Sequence, residues 1–328
     1  MLEFLIFLVV FLVLFLYQKV YQLEQGKIKV SNELKLMQYK KMSPLGSVNR
    51  LSVLPLMDFY ADGDDLRTEA GVSYLIKADD TTILMDVGYN ARQEHPSPLL
   101  GNMHKLGVEG RDIDMIFLSH LHLDHVGGAK DQKNGTFSIS QGPVELPEIP
   151  VYAPDEVMPS TWNPAPKPEV VREPRLLKPG IASIGAIPRC LFLIGYILEH
   201  SLAINVAGKG IVLIVGCGHQ TIERIIERAK ILFDEPIYAI IGGLHFPVNG
   251  GRIMYGPLNI QHIVGSDNPP WRGLNEGDVQ NAIDAIKKEK PCLVSLSPHD
   301  SSDRSIEQFK QAFGESYRDL AVGREIVI

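Results

Sequence analysis

The sequence predicts an α/β domain that follows one long apolar N-terminal helix. Residues 4–17 are an unbroken run of apolar side chains. From residue 50 onward, short apolar runs bounded by Gly, Asp and Pro indicate strands. These runs alternate with stretches whose apolar residues recur at helical spacing. The 328-residue chain is 45% apolar and 22% charged, a composition typical of folded proteins.

The apolar run and its flanks are long enough for a membrane anchor. As a helix, residues 1–23 would extend roughly 35 Å, which spans a bilayer when Gln18, Lys19 and Gln22 lie at its surface. A cleaved signal peptide and a helix docked on the domain are the alternatives. Glu3 is the only charged residue before the run, whereas several lysines follow it. This asymmetry predicts a single-pass membrane protein whose domain faces the cytoplasm.

Residues 24–48 are polar and lysine-rich and are expected to form a stalk, so the domain is expected to occupy residues 49–328. Within it, the predicted strands lie in residues 50–56, 71–77, 81–88, 114–120, 201–206, 210–216, 236–243 and 292–297. Helices are predicted where apolar residues follow i, i+3, i+4 spacing, at 222–229, 279–286 and 306–313. Eleven of the 22 prolines fall between residues 143 and 188, which predicts a long ordered loop or lid there. Residues 247–273 are predicted to be a second irregular segment.

Charge and cysteine content exclude two broad classes. The chain has 32 basic and 39 acidic residues and a net charge of −7, so nucleic acid is not an expected partner. Its three cysteines, Cys190, Cys217 and Cys292, are too few for a disulfide scaffold and fit a reducing compartment.

One cluster of histidine and aspartate residues indicates a metal site. A strand-like segment ends at Leu118 and leads into Ser-His-Leu-His-Leu-Asp-His-Val-Gly-Gly at residues 119–128. His120 and His122 point to the same side of an extended segment, where two imidazoles can hold one metal ion. Asp124 and His125 follow the turn and can reach a second ion. Three histidines and an aspartate this close together would each need a buried partner if they bound no metal.

These residues resemble the His-x-His-x-Asp-His signature of the metallo-β-lactamase superfamily. The resemblance implies an αββα four-layer sandwich over residues 50–328. It also implies that Asp86, at the end of a strand closing in Asp-x-Gly, orients a metal-bound histidine. Further segments resemble the branch of the dihydropterin-ribofuranosylaminobenzene-phosphate synthase-like proteins. They are Gly-Cys-Gly-His at 216–219, Gly-Gly-Leu-His at 242–245, Ser-Pro-His at 297–299 and Val-Gly-Arg-Glu-Ile at 322–326.

The remaining ligands are expected among residues that follow later strands. His219 and His299 are the expected later ligands, the second because it resembles the superfamily's final metal histidine. His245 is either a ligand or a supporting residue. Cys217 lies where many members carry a bridging aspartate and is either a thiolate ligand or an inert thiol. His200 is a further candidate for the third histidine.

The resulting hypothesis is a dinuclear hydrolase. One ion is expected on His120, His122 and His219, and the other on Asp124, His125 and His299, with Asp124 also a catalytic residue. A metal-bound hydroxide would attack a small-molecule phosphoester, lactone or thioester. Zinc is the first expectation for both divalent ions, with iron or manganese as alternatives.

Three other functions are left open. The branch resemblance implies a pterin-linked transferase as one, and an iron redox enzyme and a non-catalytic metal-binding membrane module are the others. Trp162 and Trp271, in the two irregular segments, are either packing anchors or contacts for an aromatic substrate.

Overall fold

A computed structural model describes residues 1–328 and contains seven α-helices and nineteen strands. The helices are α1 (Leu2–Leu36), α2 (Pro98–Lys105), α3 (Ala129–Asn134), α4 (Ile222–Leu232), α5 (Ile260–Val264), α6 (Glu276–Glu289) and α7 (Asp303–Phe313). The strands are β1 (Leu51–Met57), β2 (Ser73–Ala78), β3 (Thr81–Met85), β4 (Met115–Phe117), β5 (Thr136–Phe137), β6 (Pro150–Ala153), β7 (Met158–Pro159), β8 (Lys167–Val170), β9 (Arg175–Lys178), β10 (Ile181–Ser183), β11 (Ile187–Leu191), β12 (Gly195–Glu199), β13 (Leu202–Val206), β14 (Gly210–Val215), β15 (Ile237–Gly242), β16 (Met254–Tyr255), β17 (Leu258–Asn259), β18 (Leu293–Leu296) and β19 (Ile326–Val327).

Two mixed sheets form the body of the protein. The first has seven strands in the order β19-β1-β2-β3-β4-β6-β8, and the second has six in the order β18-β15-β14-β13-β10-β9. Apolar residues of both sheets share one buried cluster, which includes Tyr74 and Phe117 of the first sheet and Ile214 and Ile241 of the second. The two sheets are therefore packed face to face, as in the layered architectures that bury both inner faces.

Helices cover the outer faces of this sandwich. Helix α2 packs on the first sheet through Leu99 and Met103. On the second sheet, α4, α6 and α7 bury apolar stripes that include Ile225, Ile283 and Phe309. The order of layers is helix, sheet, sheet, helix, as the resemblance implied, and the three predicted helices and eight predicted strand segments are all confirmed.

Helix α1 differs from the predicted anchor and stalk. It continues without interruption to Leu36, so residues 24–36 of the predicted stalk are helical. Leu23 and Val30 are buried against Cys190 and Phe192. The prediction did not include this contact, because a narrow apolar stripe within a polar stretch is enough to dock one helix face. The helix is long and apolar enough to cross a membrane, a test that a signal sequence also passes.

The proline-rich segment 143–188 is likewise not a long loop, and that prediction is wrong. It contributes β6 and β8 to the first sheet and β9 and β10 to the second. Pro150 begins its strand, and Pro168 lies in β8, an edge strand. Proline is compatible with both places because no ladder hydrogen bond is lost there.

The strand directions gather several loops at one edge of the sandwich. Strands β14, β15 and β18 are parallel neighbours, and β3 and β4 form a parallel pair in the other sheet. Carboxyl ends of parallel strands meet at the same edge, where α/β proteins usually bind ligands. The segments after these strands carry Asp86, His120, Cys217, His245 and His299.

Candidate metal centre

The loop after β4 holds the first four predicted ligands in a tight series of turns. The backbone N–H of His125 donates to the carbonyl of His122 at 3.0 Å, so the chain reverses between them. Gly127 follows with a φ of +94°, and a Cβ there would lie 2.0 Å from the carbonyl oxygen of Ser138. Only glycine fits this close approach, and the chain turns away from the histidines at this residue.

One group of potential ligands consists of His120, His122 and His219, whose nearest donor atoms all lie within 4.8 Å of one another. Nε2 of His120 is 3.0 Å from Nδ1 of His122. The other ring nitrogen of His122, Nε2, is buried and has no hydrogen-bond partner, and the same is true of Nδ1 of His219. Buried polar atoms are nearly always paired, so these orphan nitrogens indicate a missing ligand.

A second group consists of Asp124, His125, Cys217 and His299. The Cys217 Sγ lies 3.0 Å from Nε2 of His125 and 3.3 Å from Nε2 of His299. An Asp124 carboxylate oxygen lies 3.6 Å from the same nitrogen of His125. The structure thus places the thiol of Cys217 among the later predicted ligands, at the position between two imidazoles that a bridging or terminal ligand would take.

Asp86 and Ser119 hold the imidazoles in place. Asp86 is fully buried, and Oδ2 is 2.8 Å from Nδ1 of His125. Its carboxylate also accepts from the backbone N–H and the hydroxyl of Ser119, both at 2.7 Å. The Ser119 hydroxyl lies 3.1 Å from Nδ1 of His120. This network fixes the ring orientation and leaves the opposite nitrogen, Nε2, facing the cluster, as outer partners of metal-bound histidines commonly do.

His299 is oriented in the same manner from the other sheet. Its Nδ1 lies 2.6 Å from the hydroxyl of Ser297, which donates in turn to the carboxylate of Asp58 at 2.7 Å. Burial raises the pKa of Asp58 to about 7, and its hydrogen bonds only partly oppose that rise.

Glu199 is a buried acid that the sequence analysis missed. Its carboxylate accepts from the backbone N–H groups of Cys217, Gly218 and His219, at 2.7 to 3.0 Å. These bonds fix the turn that presents Cys217 and His219. Burial raises the pKa of Glu199 to about 7. The acid is the last residue of β12, and only its place at the end of an apolar run could have singled it out.

His245 lies at the edge of both groups. It adopts a φ of +54°, and its ring centroid is 4.4 Å from that of His219. Its Nε2 lies 3.2 Å from the carbonyl oxygen of Gln261, while Nδ1 is buried without a partner. His219 and His245 line a cavity of about 180 Å³ whose other walls include Arg189 and Asp267. This places His245 between the clustered ligands and the space that a substrate would enter.

Burial sets the protonation of the site. It lowers the pKa of His122 to about 3 and those of His120, His219 and His299 well below the ordinary histidine value. These rings are therefore neutral at physiological pH and keep a lone pair for a metal ion. Burial would also lower the pKa of His125, but the carboxylates of Asp86 and Asp124 outweigh it and raise that pKa to about 9.

His200 stays outside both groups, so its candidacy as the third histidine is wrong. Nδ1 lies 2.9 Å from the hydroxyl of Ser183 and Nε2 2.9 Å from the carbonyl oxygen of Leu118. The ring stacks on Phe117 with centroids 4.0 Å apart. Both nitrogens are used within the protein, which makes this histidine a link between the two sheets.

The donor set fits divalent metal ions. Neutral imidazoles, one carboxylate and one thiol are ligands that zinc accepts, and nitrogen and oxygen donors also suit iron and manganese. Nε2 of His122 and Nδ1 of His219 are buried without a hydrogen-bond partner, which also indicates that a bound group belongs at this site. The two groups adjoin at His120 and His125, whose ring centroids lie 4.1 Å apart.

Comparison with known proteins agrees with this site. A profile described as the metallo-beta-lactamase superfamily matches residues 66–137, which include the histidine cluster. The structure is similar to that of a protein described as a metal-dependent hydrolase of the beta-lactamase superfamily, with a TM-score of 0.56, 17% identity and coverage of 85% of this chain and 99% of that one. The fold is therefore that of the metallo-β-lactamase superfamily, and residues 66–137 match the model of that family.

Two further proteins are similar to this one over most of the chain. The metallo-beta-lactamase fold protein YhfI from Bacillus subtilis has a TM-score of 0.50 at 14% identity, and the match covers 85% of this chain and 100% of that one. The 7,8-dihydropterin-6-methyl-4-(beta-D-ribofuranosyl)-aminobenzene-5'-phosphate synthase of Methanocaldococcus jannaschii is 26% identical over an alignment of 316 residues, and the match covers 82% of this chain and 95% of that one. The predicted resemblance to the superfamily and to this branch is confirmed.

Proposed function

We propose that this protein is a membrane-anchored hydrolase that uses two divalent metal ions on an ester-type substrate. The observation that carries the proposal is the convergence of seven potential ligands, from three separate loops, into two adjoining groups. These are His120, His122 and His219 in one, and Asp124, His125, Cys217 and His299 in the other.

Bound divalent ions would supply a water of lowered pKa and an electrophile polarised for attack. The protein's own part is to hold the ligands rigid. Asp86 fixes the ring of His125, Ser297 fixes that of His299, and Glu199 fixes the turn at residues 217–219. Such support keeps the ligand nitrogens aimed at one place and reduces the reorganisation needed during the reaction.

The cavity beside His219 and His245 is the proposed substrate site. Its walls are mainly polar, and Arg189, Asp267, Asn268 and Asn281 contribute to them. The guanidinium of Arg189 donates to the carbonyl of His219 at 2.8 Å and to Asp267 at 2.9 Å. A polar substrate with an ester, lactone, thioester or phosphoester centre suits this lining.

The N-terminal helix is proposed to anchor the enzyme in a membrane. Residues 1–15 are all exposed to solvent, although nearly all of them are apolar. Lysines follow the apolar run, so the catalytic domain is proposed to face the cytoplasm.

The test uses the full chain purified in mild detergent. Hydrolysis of a panel of phosphodiesters, phosphomonoesters, lactones and thioesters is measured for the wild type, for His120→Ala/His122→Ala, and for His104→Ala. His104 is an exposed histidine on α2 and serves as the control. We expect turnover by the wild type and the control, and loss of at least about a hundredfold in the double variant. Equal turnover by all three proteins would refute the proposal, and metal binding without turnover on any substrate would favour a non-catalytic module.

A second candidate function is a pterin-linked transferase. The relative in Methanocaldococcus jannaschii carries the name of a synthase and shares 26% identity over 316 residues. Incubation of the same preparation with a pterin pyrophosphate and a phosphorylated aminobenzene distinguishes the two functions. A transferase joins the two substrates and releases pyrophosphate, whereas a hydrolase yields no joined product.

A further inference from the structure

The second half of α1 packs against the domain, whereas the first half is exposed. Leu23 and Val30 are buried, whereas every residue before Leu16 is exposed. At Gly26 the helix lies against β11 so closely that a Cβ would be 2.2 Å from the Cys190 Sγ. Contact with the domain therefore begins only a few residues beyond Tyr17, where the apolar run ends.

The hairpin of β11 and β12 runs along α1 toward this apolar end. Its first residue, Ile187, belongs to the same core cluster that Leu34 packs against. Further along the strand, Cys190 faces Gly26, and Phe192 shares a buried cluster with Leu23. Strand residues advance about 3.3 Å each and helix residues about 1.5 Å. The turn beyond Phe192 therefore reaches the level of the helix at about residue 20.

Three apolar side chains at and beside the turn of this hairpin are exposed. Leu193 is 44% exposed, Ile194 is 40% exposed and Trp271 is 60% exposed. The Trp271 ring packs edge-on against Phe192 with centroids 6.3 Å apart, so the three side chains belong to one patch. Contiguous exposed apolar groups mark a surface that contacts another phase or partner.

The position of the patch beside α1 indicates what contacts it. Residue 20 lies about 4.5 Å beyond the end of the apolar run, and the head-group layer of a bilayer is roughly 5–7 Å deep on each side. Tryptophan is enriched at that depth because its ring is amphipathic. A bilayer crossed by residues 1–17 would thus meet this patch first.

We propose that Leu193, Ile194 and Trp271 form a second membrane contact, seated in the head-group layer of the bilayer that α1 crosses. This inference rests on the proposed anchor and goes beyond it, because it fixes how the domain lies on the membrane. The loop that carries Trp271 also supplies Asp267 and Asn268 to the cavity beside His219. The candidate active site therefore lies next to the membrane surface.

The two tryptophans of the chain provide the test. The full-length protein is reconstituted in phosphatidylcholine vesicles, with and without lipids brominated near the carboxyl end of the acyl chains. Trp162→Phe leaves Trp271 as the sole tryptophan, and Trp271→Phe leaves Trp162, which is 44% exposed on the loop between β7 and β8. We expect the brominated lipids to quench Trp271 at least about twice as strongly as Trp162, because quenching requires insertion into the interface.

Variants of the turn and a flotation assay separate this inference from the anchor. Leu193→Asp/Ile194→Asp in the Trp162→Phe background is expected to reduce quenching of Trp271 while the protein still floats with the vesicles. A protein that floats, but whose Trp271 is quenched no more than Trp162 or is unaffected by the turn variant, overturns the second contact and leaves the anchor intact. A protein that does not float overturns both.

Discussion

Replacement of Asp86 by Asn tests how the second group of ligands is held. Asn occupies nearly the same volume and tolerates the φ of +57° found at this position. Its amide oxygen can still accept from the backbone N–H of Ser119, which now lies 2.7 Å from Oδ1. The amide NH₂ would then face Nδ1 of His125, in place of the carboxylate oxygen at 2.8 Å.

This exchange reverses the hydrogen-bond polarity at His125. A donor opposite Nδ1 favours the tautomer that carries its proton on Nε2, the nitrogen that faces Cys217. Loss of such a supporting carboxylate typically lowers metal affinity about 10- to 100-fold, which corresponds to about 1.4 to 2.7 kcal/mol. His120 is linked to Asp86 only through the Ser119 hydroxyl, and His122 and His219 are not part of this network, so the other site is expected to lose much less affinity.

The assay is a zinc titration of the metal-stripped full chain against a chromophoric chelator. The wild type is expected to bind two ions, and Asp86→Asn is expected to weaken one binding step by 10- to 100-fold and to leave the other within about threefold. Asp80→Asn, at an exposed aspartate, is the control. Two unchanged binding steps in Asp86→Asn, with a normal circular dichroism spectrum, would refute the assigned role of this carboxylate.

Three further predictions concern the thiol, the buried acid and the core. Cobalt-loaded protein should show a thiolate-to-cobalt charge-transfer band that Cys217→Ser abolishes, because the thiol lies between His125 and His299. Asp58 has its pKa raised from 3.8 to about 7 by burial, so the folded metal-free chain binds this proton more tightly than the unfolded chain. The stabilisation from this proton is complete below pH 4 and is lost as the pH rises through 7, by at most about 4 kcal/mol. The free energy of unfolding, measured with urea at pH 5 and at pH 8, should therefore fall less between these two pH values in Asp58→Asn than in the wild type. Ile225→Ala should lower the free energy of unfolding by about 2–5 kcal/mol, since the side chain is fully buried.

Each of these variants has a matched control in the chain. Cys292→Ser changes an exposed thiol, Asp80→Asn an exposed acid, and Ile231→Ala an isoleucine on the same helix that is 43% exposed. A cobalt band that survives Cys217→Ser, or an Asp58→Asn variant with the pH dependence of the wild type, would contradict the corresponding assignment. So would an Ile225→Ala variant no less stable than Ile231→Ala.

Much of the fold could be predicted because its determinants are local. Helix α4 follows from the spacing of Ile222, Ile225 and Ile226, and β14 and β15 follow from unbroken apolar runs between glycines. The prolines at 150 and 168 misled the prediction because their effect depends on strand position, and only the sheet order shows that β8 is an edge.

Part of the candidate site could likewise be predicted from local sequence, and part of it could not. The cluster at 120–125 is contiguous in sequence and could be identified from spacing alone. Which later histidine joins it depends on the pairing of distant strands, which is why His200 stayed a candidate beside His219. Glu199 was missed because its partners are three backbone N–H groups 18 to 20 residues away, and no side-chain pattern reports them.

The most direct test of the paired metal site is anomalous diffraction from crystals of the metal-loaded protein. We predict two peaks, one among His120, His122 and His219 and one within about 2.5 Å of the Cys217 Sγ, near His125 and His299. A single peak, or a metal ion bound away from these side chains, would contradict it.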